Sequence, residues 1–351
     1  MQYPQTGGLS HPEGPPTLPT MDEDAQIKSL NATLTEWFSR HKDMRCFLAV
    51  DPSQRDLTSD DVDARAPFAN LARGDVLIHH DAFPEAHRPY LLELDLSTPE
   101  GIEALALSVR VAFEDRRPES MAEGLGQRVG GWLASSASLD EVAAHWSRLV
   151  LQRNDTGHAC VLRFYDSRAL ALLWTILSPM QQQAMLGPVR AWHILDAGAR
   201  PIVHLASSDA RATFMLSAEQ WQEIQRHGLV NRALALHAQA CGRQPEPNEI
   251  EVAVAAAARA DGYGLIERDD WVAFIGHALL WHPQFDSHPK VQQLLAHRAT
   301  DDFYTGEIEQ LSANEIDEIR QGSWHQRLGA SASSKAHVRI ESNTATTYDN
   351  E

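Results

Sequence analysis

The chain has 351 residues, of which 43% are hydrophobic, with 30 lysines and arginines against 48 aspartates and glutamates, for a formal net charge of −18. This length and apolar content allow a full core, and two cores more readily than one. Strong acidity excludes nucleic acids and anionic membrane surfaces as expected partners, because both would be repelled. It suits a basic partner instead. No segment approaches the roughly 20 apolar residues of a membrane span.

The cysteines and the two ends of the chain indicate a cytoplasmic protein with polar extensions. Cys46, Cys160 and Cys241 are far apart and form no Cys-x-x-Cys pair, so we interpret them as buried structural thiols in a reducing compartment. Residues 1–21 are rich in proline and glycine, have no signal-peptide pattern and are predicted to be disordered. Residues 329–351 are small and polar and are predicted to form a disordered tail.

Residues 22–206 alternate between helical and strand patterns, which predicts an α/β or α+β lobe with a mixed sheet. A helix is predicted from Asp22 to about His41, and Ser138 with Glu141 has the spacing of a capping box. Further strands are predicted over 45–50, 75–80, 90–96, 130–136, 159–162, 189–195 and 200–206. Further helices are predicted over 99–113, 139–150, 167–177 and 178–187.

The segment HACVLRFYDSRALA, residues 158–171, places a charged turn at the end of an apolar strand. Strand alternation would put Arg163 and Tyr165 on one face and Phe164 and Asp166 on the other. Since a buried arginine is costly unless it is paired, we interpret the segment as a strand-to-helix corner. Asp166 is predicted to cap the following helix, while Arg163 and Arg168 bind carboxylates or carbonyls. Direct contact with a partner is the alternative.

The pattern changes after residue 206, and residues 207–214 are the predicted junction to an all-helical lobe over 215–328. Ser217 with Gln220 forms a second capping-box pattern, and no strand pattern follows it. Later helices are predicted over 245–260, 267–282, 287–298 and 307–321. Candidate partner-binding anchors are the aromatic side chains of Trp221, Trp271 and Trp281, for which burial in the helical core is the alternative.

Motifs for cofactor binding and nucleophilic catalysis are missing from the sequence. In GLGQRVGG, Val129 occupies the third glycine position after Gly124 and Gly126, and the run precedes a strand instead of following one. Neither a Gly-Lys-Ser/Thr loop nor a Gly-x-Ser-x-Gly motif occurs. We therefore assign no cofactor and no catalytic residue, and a binding protein is favoured over an enzyme.

A histidine-rich segment offers the one alternative chemistry. His79, His80, Asp81, Glu85 and His87 lie close together in HHDAFPEAH, and imidazoles and carboxylates are suitable metal ligands. Adjacent histidines on a strand point to opposite faces, however, and no His-Glu-x-x-His spacing is present. We interpret the segment as a polar loop at a strand end and keep a metal-dependent hydrolase as the alternative.

The block over residues 130–192 resembles the core of the effector adaptor chaperones of type VI secretion systems. The resemblance rests on a strand with Trp132, on the Arg163-Phe164-Tyr165-Asp166-x-Arg168 corner, and on Gly187-Pro188 before a strand with Trp192. Weaker similarity extends the resemblance to roughly residues 40–300.

The resemblance implies a cytoplasmic adaptor that binds a cognate effector toxin and assists its loading onto the VgrG spike. It implies neither turnover nor a cofactor, and the family brings no catalytic residues. We expect the helical lobe to select the effector, while the first lobe provides a common frame. An immunity protein that neutralises a toxin is a further alternative.

Overall fold

The computed structural model describes residues 23–55, 57, 67–207, 213–297 and 302–325. The predicted extensions over 1–21 and 329–351, and residues 208–212 of the predicted junction, lie outside these described residues. Within the described part, the predicted fold class is confirmed: an N-terminal region with a sheet and helices precedes an all-helical region over 218–325.

A six-stranded sheet organises the first region, with strand order β2-β3-β1-β4-β7-β8 and antiparallel pairing throughout. A separate two-stranded sheet pairs β5 with β6. The strands are β1 (Arg45–Val50), β2 (Arg73–Asp75), β3 (Tyr90–Leu94), β4 (Val129–Ser135), β5 (Leu151–Arg153), β6 (Ala159–Val161), β7 (Ala191–Leu195) and β8 (Pro201–Leu205).

Helices cover both faces of the sheet, which explains why its central strands are apolar on both sides. These helices are α1 (Glu23–Arg40), α2 (Pro99–Glu114), α3 (Pro118–Glu123), α4 (Leu139–Leu149), α5 (Ser167–Ile176) and α6 (Pro179–Leu186). In β1, Phe47 and Ala49 face the core formed with α4, α5 and α6, whereas Cys46, Leu48 and Val50 face α1 and α2.

Six helices form the second region: α7 (Ala218–Cys241), α8 (Pro247–Gly262), α9 (Arg268–Leu280), α10 (Pro289–His297), α11 (Tyr304–Ile308) and α12 (Ala313–Gln321). The buried face of α8 consists of alanines, which let α9 with Phe274 approach closely. The predicted helix over 307–321 is wrong, because Ser312 caps a new helix, α12, after α11 has ended.

Helix α7 joins the two regions by polar contacts as well as by packing. Arg232 Nη1 donates to the carbonyl of Ala122 at 2.7 Å, just inside the C-terminal end of α3. Gln220 Nε2 donates to the carbonyl of Ile176 at 2.7 Å, where α5 ends. The capping boxes predicted at Ser138 and Ser217 are both confirmed.

Two predicted strands differ from the structure. The strand predicted over 75–80 is wrong, because β2 ends at Asp75. The N–H of Val76 still donates to the carbonyl of Pro89 at 3.1 Å, but the chain then leaves the sheet, and Val76 and Ile78 pack in the core. The buried core strand predicted over 159–162 is also wrong. Residues 159–161 pair locally with β5 across a turn closed by Gly157, and Ala159 is exposed. Because β1 and β7 pair with the two edges of β4, residues 159–161 cannot pair with β4 in the central sheet.

The three cysteines do not share one environment. Cys46 is buried as expected, but Cys160 is half-buried and Cys241 is exposed, so the expectation of three buried thiols is wrong. Within the described ranges, no helix combines the length and apolarity needed to cross a bilayer.

Two glycines give a matched test of the sheet packing. Gly131 in β4 has a φ of 125°, and a Cβ there would lie 2.4 Å from the carbonyl oxygen of His193. Gly276 in α9 has open space around an added Cβ. We expect Gly131→Ala to lower the free energy of unfolding by at least about 2 kcal/mol, and Gly276→Ala to leave it unchanged or raise it by up to about 1 kcal/mol. Urea denaturation of both variants checks this, and equal effects would contradict the packing described for β4.

Candidate functional site

The predicted corner exists and begins helix α5. Asp166 is the N-cap of α5, and its side chain accepts a hydrogen bond from the backbone N–H of Arg168 at 3.1 Å. The backbone N–H of Asp166 donates to the carbonyl of Arg163 at 3.1 Å, which closes a turn between β6 and α5. The predicted cap is therefore confirmed, although a turn leads into it instead of a strand.

Both arginines of the corner bind carboxylates. Arg168 Nη2 lies 2.9 Å from Asp166 Oδ2, and Arg163 Nη2 lies 2.8 Å from Asp51 Oδ2. Asp51 directly follows β1, so the corner ties the end of a central strand to the start of α5. Burial acts to raise the pKa of Asp166, but the charges and hydrogen bonds of Arg168 and Arg163 outweigh it and lower this pKa to about 2.

The two aromatic residues of the corner are both buried, so the alternation predicted for them is wrong. Phe164 meets the ring of Trp146 edge to face at 5.0 Å. The carbonyl oxygen of Tyr165 lies against Gly130, where a Cβ would approach to 2.2 Å. A turn can direct successive side chains inward, which a strand cannot.

A third arginine, which is fully buried, contacts the corner from inside the fold and was not predicted. Arg116, at the end of α2, donates from Nη2 to the hydroxyl of Ser167 and, at 2.7 Å, to the carbonyl of Leu195. Its Nε donates to the carbonyl of Asp196 at 2.9 Å. Burial lowers the pKa of this guanidinium to about 10. In the sequence, Arg116 stands in the charged run EDRRPE, which resembles a solvated helix end and gives no sign of burial.

The carboxylate beside Arg116 is buried as well. Asp115 forms ion pairs with Arg128, at 2.8 Å, and with Arg55. Three buried aspartates, Asp51, Asp115 and Asp166, thus lie around the corner, and each has an arginine partner.

The remaining motif residues hold the first region together. Trp132 is buried and donates from Nε1 to the hydroxyl of Ser108 at 2.8 Å. Gly187 ends α6 with a φ of 54°, where a Cβ would lie 2.2 Å from the ring of His145. The carbonyl of Pro188 accepts from the hydroxyl of Ser135 at 2.6 Å. These contacts are structural, and a role of the same residues in partner binding stays a prediction.

A cleft of about 440 Å³ opens between the corner and the helical region. Four arginines line it, two from the corner (Arg163, Arg168) and two from the helical region (Arg232 on α7, Arg268 at the start of α9). Among the residues that line it, Asp166 is the single carboxylate. The cleft also exposes apolar side chains from both regions.

His227 of α7 lines the same cleft without adding to its charge. Burial, with a smaller effect of the neighbouring Arg226, lowers the pKa of His227 to about 4. The imidazole is therefore neutral at pH 7, and the positive charge in the cleft belongs to the arginines.

The tryptophans predicted as anchors lie largely inside the helical region. Trp221 and Trp271 are buried, and Trp271 Nε1 donates to the carbonyl of Leu265 at 2.7 Å. Trp281 is half-buried and stacks on His277 at 3.9 Å between ring centroids. Their role as partner anchors stays a prediction, and a partner would reach the first two only after a rearrangement of the helices.

The histidine-rich segment does not form a ligand cluster. The residues proposed for metal binding are all exposed: His79, His80, Asp81, Glu85 and His87. Across the ranges that the structure describes, no three histidine, cysteine, aspartate or glutamate side chains are placed to hold one metal ion. The polar-loop interpretation therefore fits this segment better than a metal site does.

Residues 46–184 match the family described as "Domain of unknown function (DUF4123)". The match covers about two fifths of the chain, begins in β1 and ends in α6, so it includes the corner but none of the helical region. This family is associated with effector chaperones of type VI secretion systems. No curated protein and no solved structure matches the chain.

The pairing of Asp166 predicts a pH dependence of stability. Its pKa is about 2 in the folded protein against 3.8 for the ordinary side chain, so the carboxylate stabilises the fold above pH 3.8 and this contribution is lost as the pH falls through 2. The contribution at pH 7 is about 2 kcal/mol. We expect Asp166→Asn to be less stable than the wild type at pH 7, with a difference that shrinks towards pH 2.

Urea denaturation between pH 2 and pH 7 measures this difference. Asp43→Asn, in the exposed turn after α1, is the control and should not produce it. A gap between the wild type and Asp166→Asn that stays constant with pH would contradict the ion pairing.

Two consecutive arginines test the buried support of the corner. Arg116→Lys keeps the charge but loses the planar set of donors to Ser167, Leu195 and Asp196, so we expect a loss of about 3 kcal/mol in the free energy of unfolding. Arg117→Lys changes an exposed ion pair with Glu23 and should cost less than about 1 kcal/mol. Similar losses in the two variants, measured by chemical denaturation, would contradict the assignment.

Proposed function

We propose that this protein is a non-enzymatic adaptor of a type VI secretion system. In this role it binds a cognate effector toxin in the bacterial cytoplasm and assists its loading onto the VgrG spike. The observation that carries the proposal is that the family match over 46–184 falls on the region built around the Arg163–Asp166 corner. This family is associated with type VI effector chaperones.

The contacts within the corner support a scaffold in preference to a catalytic centre. Asp166, the most strongly shifted carboxylate there, is bound by Arg168 and by a backbone N–H, so it is held in the ionised form and is a poor general acid or base. The corner and its neighbours are engaged in joining β1, α2 and α5. The metal-dependent hydrolase has weaker support, because the side chains over 79–87 are exposed and do not converge.

The position of α7 supports the proposal that the helical region contributes to the choice of effector. This helix forms one wall of the cleft, while the corner forms the other. Because the family match stops at residue 184, α7 lies in the part of the chain that the match does not cover. We therefore propose a common first region and a helical region that contributes to the choice of effector.

Export from the native bacterium tests the function. We expect deletion of the gene to remove one effector from the type VI secretome, while the other substrates of the system are still released. Mass spectrometry of culture supernatants measures both, and expression of the intact chain should restore the lost effector. Self-intoxication of the deletion strain with unchanged export would identify an immunity protein instead, and an unchanged secretome with normal growth would contradict the adaptor.

A further inference from the structure

The charges around the cleft do not balance. Arg163 and Arg168 are neutralised by Asp51 and Asp166, at 2.8 and 2.9 Å. Arg232 and Arg268 have no ion pair within the described residues. In the chain, Arg268 stands between Glu267 and Asp269, but neither carboxylate forms an ion pair with it. The helical side of the cleft therefore presents two guanidinium groups that no carboxylate of the described residues binds.

Arg268 is the least engaged of the four arginines. Its side chain makes no hydrogen bond or ion pair with any residue that the structure describes, and it is exposed at the start of α9. A cation in the first turn of a helix opposes the helix dipole. Asp269 and Asp270 in the same turn already favour the dipole, so the Arg268 guanidinium is left free to bind a ligand with negative charge.

Other features of the cleft fit a peptide. Val161 and Ile224, which are both partly exposed, add apolar surface beside the arginines. Gly228 lies in the interior of α7, where glycine weakens a helix relative to alanine, and nothing lies within 4 Å of an added Cβ, so its missing side chain leaves the cleft open. Asn231 Oδ1 is buried without a hydrogen-bond partner and can accept a backbone N–H.

We propose that the cleft binds a short segment of the effector that combines carboxylate and aliphatic side chains. The segment's carboxylates pair with Arg232 and Arg268, and its aliphatic side chains lie against Val161 and Ile224. Arginine recognises carboxylates through paired hydrogen bonds, and a cavity of about 440 Å³ accommodates several side chains. The inference rests on the proposed function for the source of the segment. It reverses, for this one surface, the basic partner that the overall charge favours.

A labelled peptide tests the chemistry without knowledge of the effector. The probe is fluorescein-labelled Glu-Leu-Glu-Glu-Leu-Glu, with Gln-Leu-Gln-Gln-Leu-Gln as its uncharged match, and fluorescence anisotropy with the full chain measures binding. We expect the acidic peptide to bind at least tenfold more tightly than the neutral one, and its affinity to fall as salt rises. Inorganic phosphate should compete only weakly.

Three variants locate the binding. Arg268→Gln removes a side chain without fold contacts and should weaken the acidic peptide about tenfold, as should Arg232→Gln. Gly228→Leu keeps every arginine but fills the cleft, and it should weaken both peptides. Arg110→Gln removes an exposed arginine of α2 outside the cleft and should change nothing. Unchanged melting temperatures show that each variant is folded. If Arg232→Gln does not fold, the result for Arg268→Gln decides whether the cleft binds the peptide.

Several outcomes would overturn the inference. Equal binding of the two peptides would contradict the proposal that the cleft binds an acidic segment. Wild-type affinity of both Arg268→Gln and Gly228→Leu would also contradict it. Phosphate that binds as tightly as the peptide would make the cleft a small-anion site, and peptide-independent self-association lost in Arg268→Gln would make it a contact between copies. Measurement of effector export distinguishes the two proposals. Normal export with Arg268→Gln would contradict only the peptide-binding cleft. Peptide binding by a chain that is not needed for export would contradict only the adaptor function.

Discussion

The fold of the first region depends on carboxylates that are buried and must be paired. Asp51, Asp115 and Asp166 lie at the ends of β1, α2 and the β6–α5 turn, and each is bound by at least one arginine. A buried charge without its partner is far more costly than an exposed one, so these pairs fix how three chain segments meet. Arg116 completes the arrangement, because its guanidinium donates to the hydroxyl of Ser167 and to the backbone carbonyls of Leu195 and Asp196 at the end of β7.

The same constraint shapes the cleft. Arg163 and Arg168 line it, yet their charges are already used within the fold, so they form a rigid wall instead of a free binding group. Arg232 of α7 and Arg268 of α9 form no ion pair with a carboxylate of the described residues. The corner side of the cleft therefore has its charges paired within the fold, whereas the helical side has two arginines that a ligand can bind.

Local patterns in the sequence predicted local structure well. The capping boxes at Ser138 and Ser217, the cap at Asp166 and the apolar strand over 45–50 each depend on a few neighbouring residues, and all are present in the structure. The short strand β6 failed because its apolar run is typical of a core strand, while its pairing with β5 is decided by the turn at Gly157. Arg116 and the cleft could not be predicted, since the residues that surround them come from segments far apart in the chain.

The cleft has one side whose residues the fold requires and one side whose residues can be substituted. Arg268 makes no hydrogen bond or ion pair with a described residue, and Gly228 has open space beside it, so substitutions at either position alter the cleft at little cost to folding. Substitutions at Asp166 or Arg116, in contrast, lower the stability of the fold. Under the proposed adaptor function, duplicated copies of such a gene would diverge in cargo by mutation of the helical wall alone, while the corner is inherited intact.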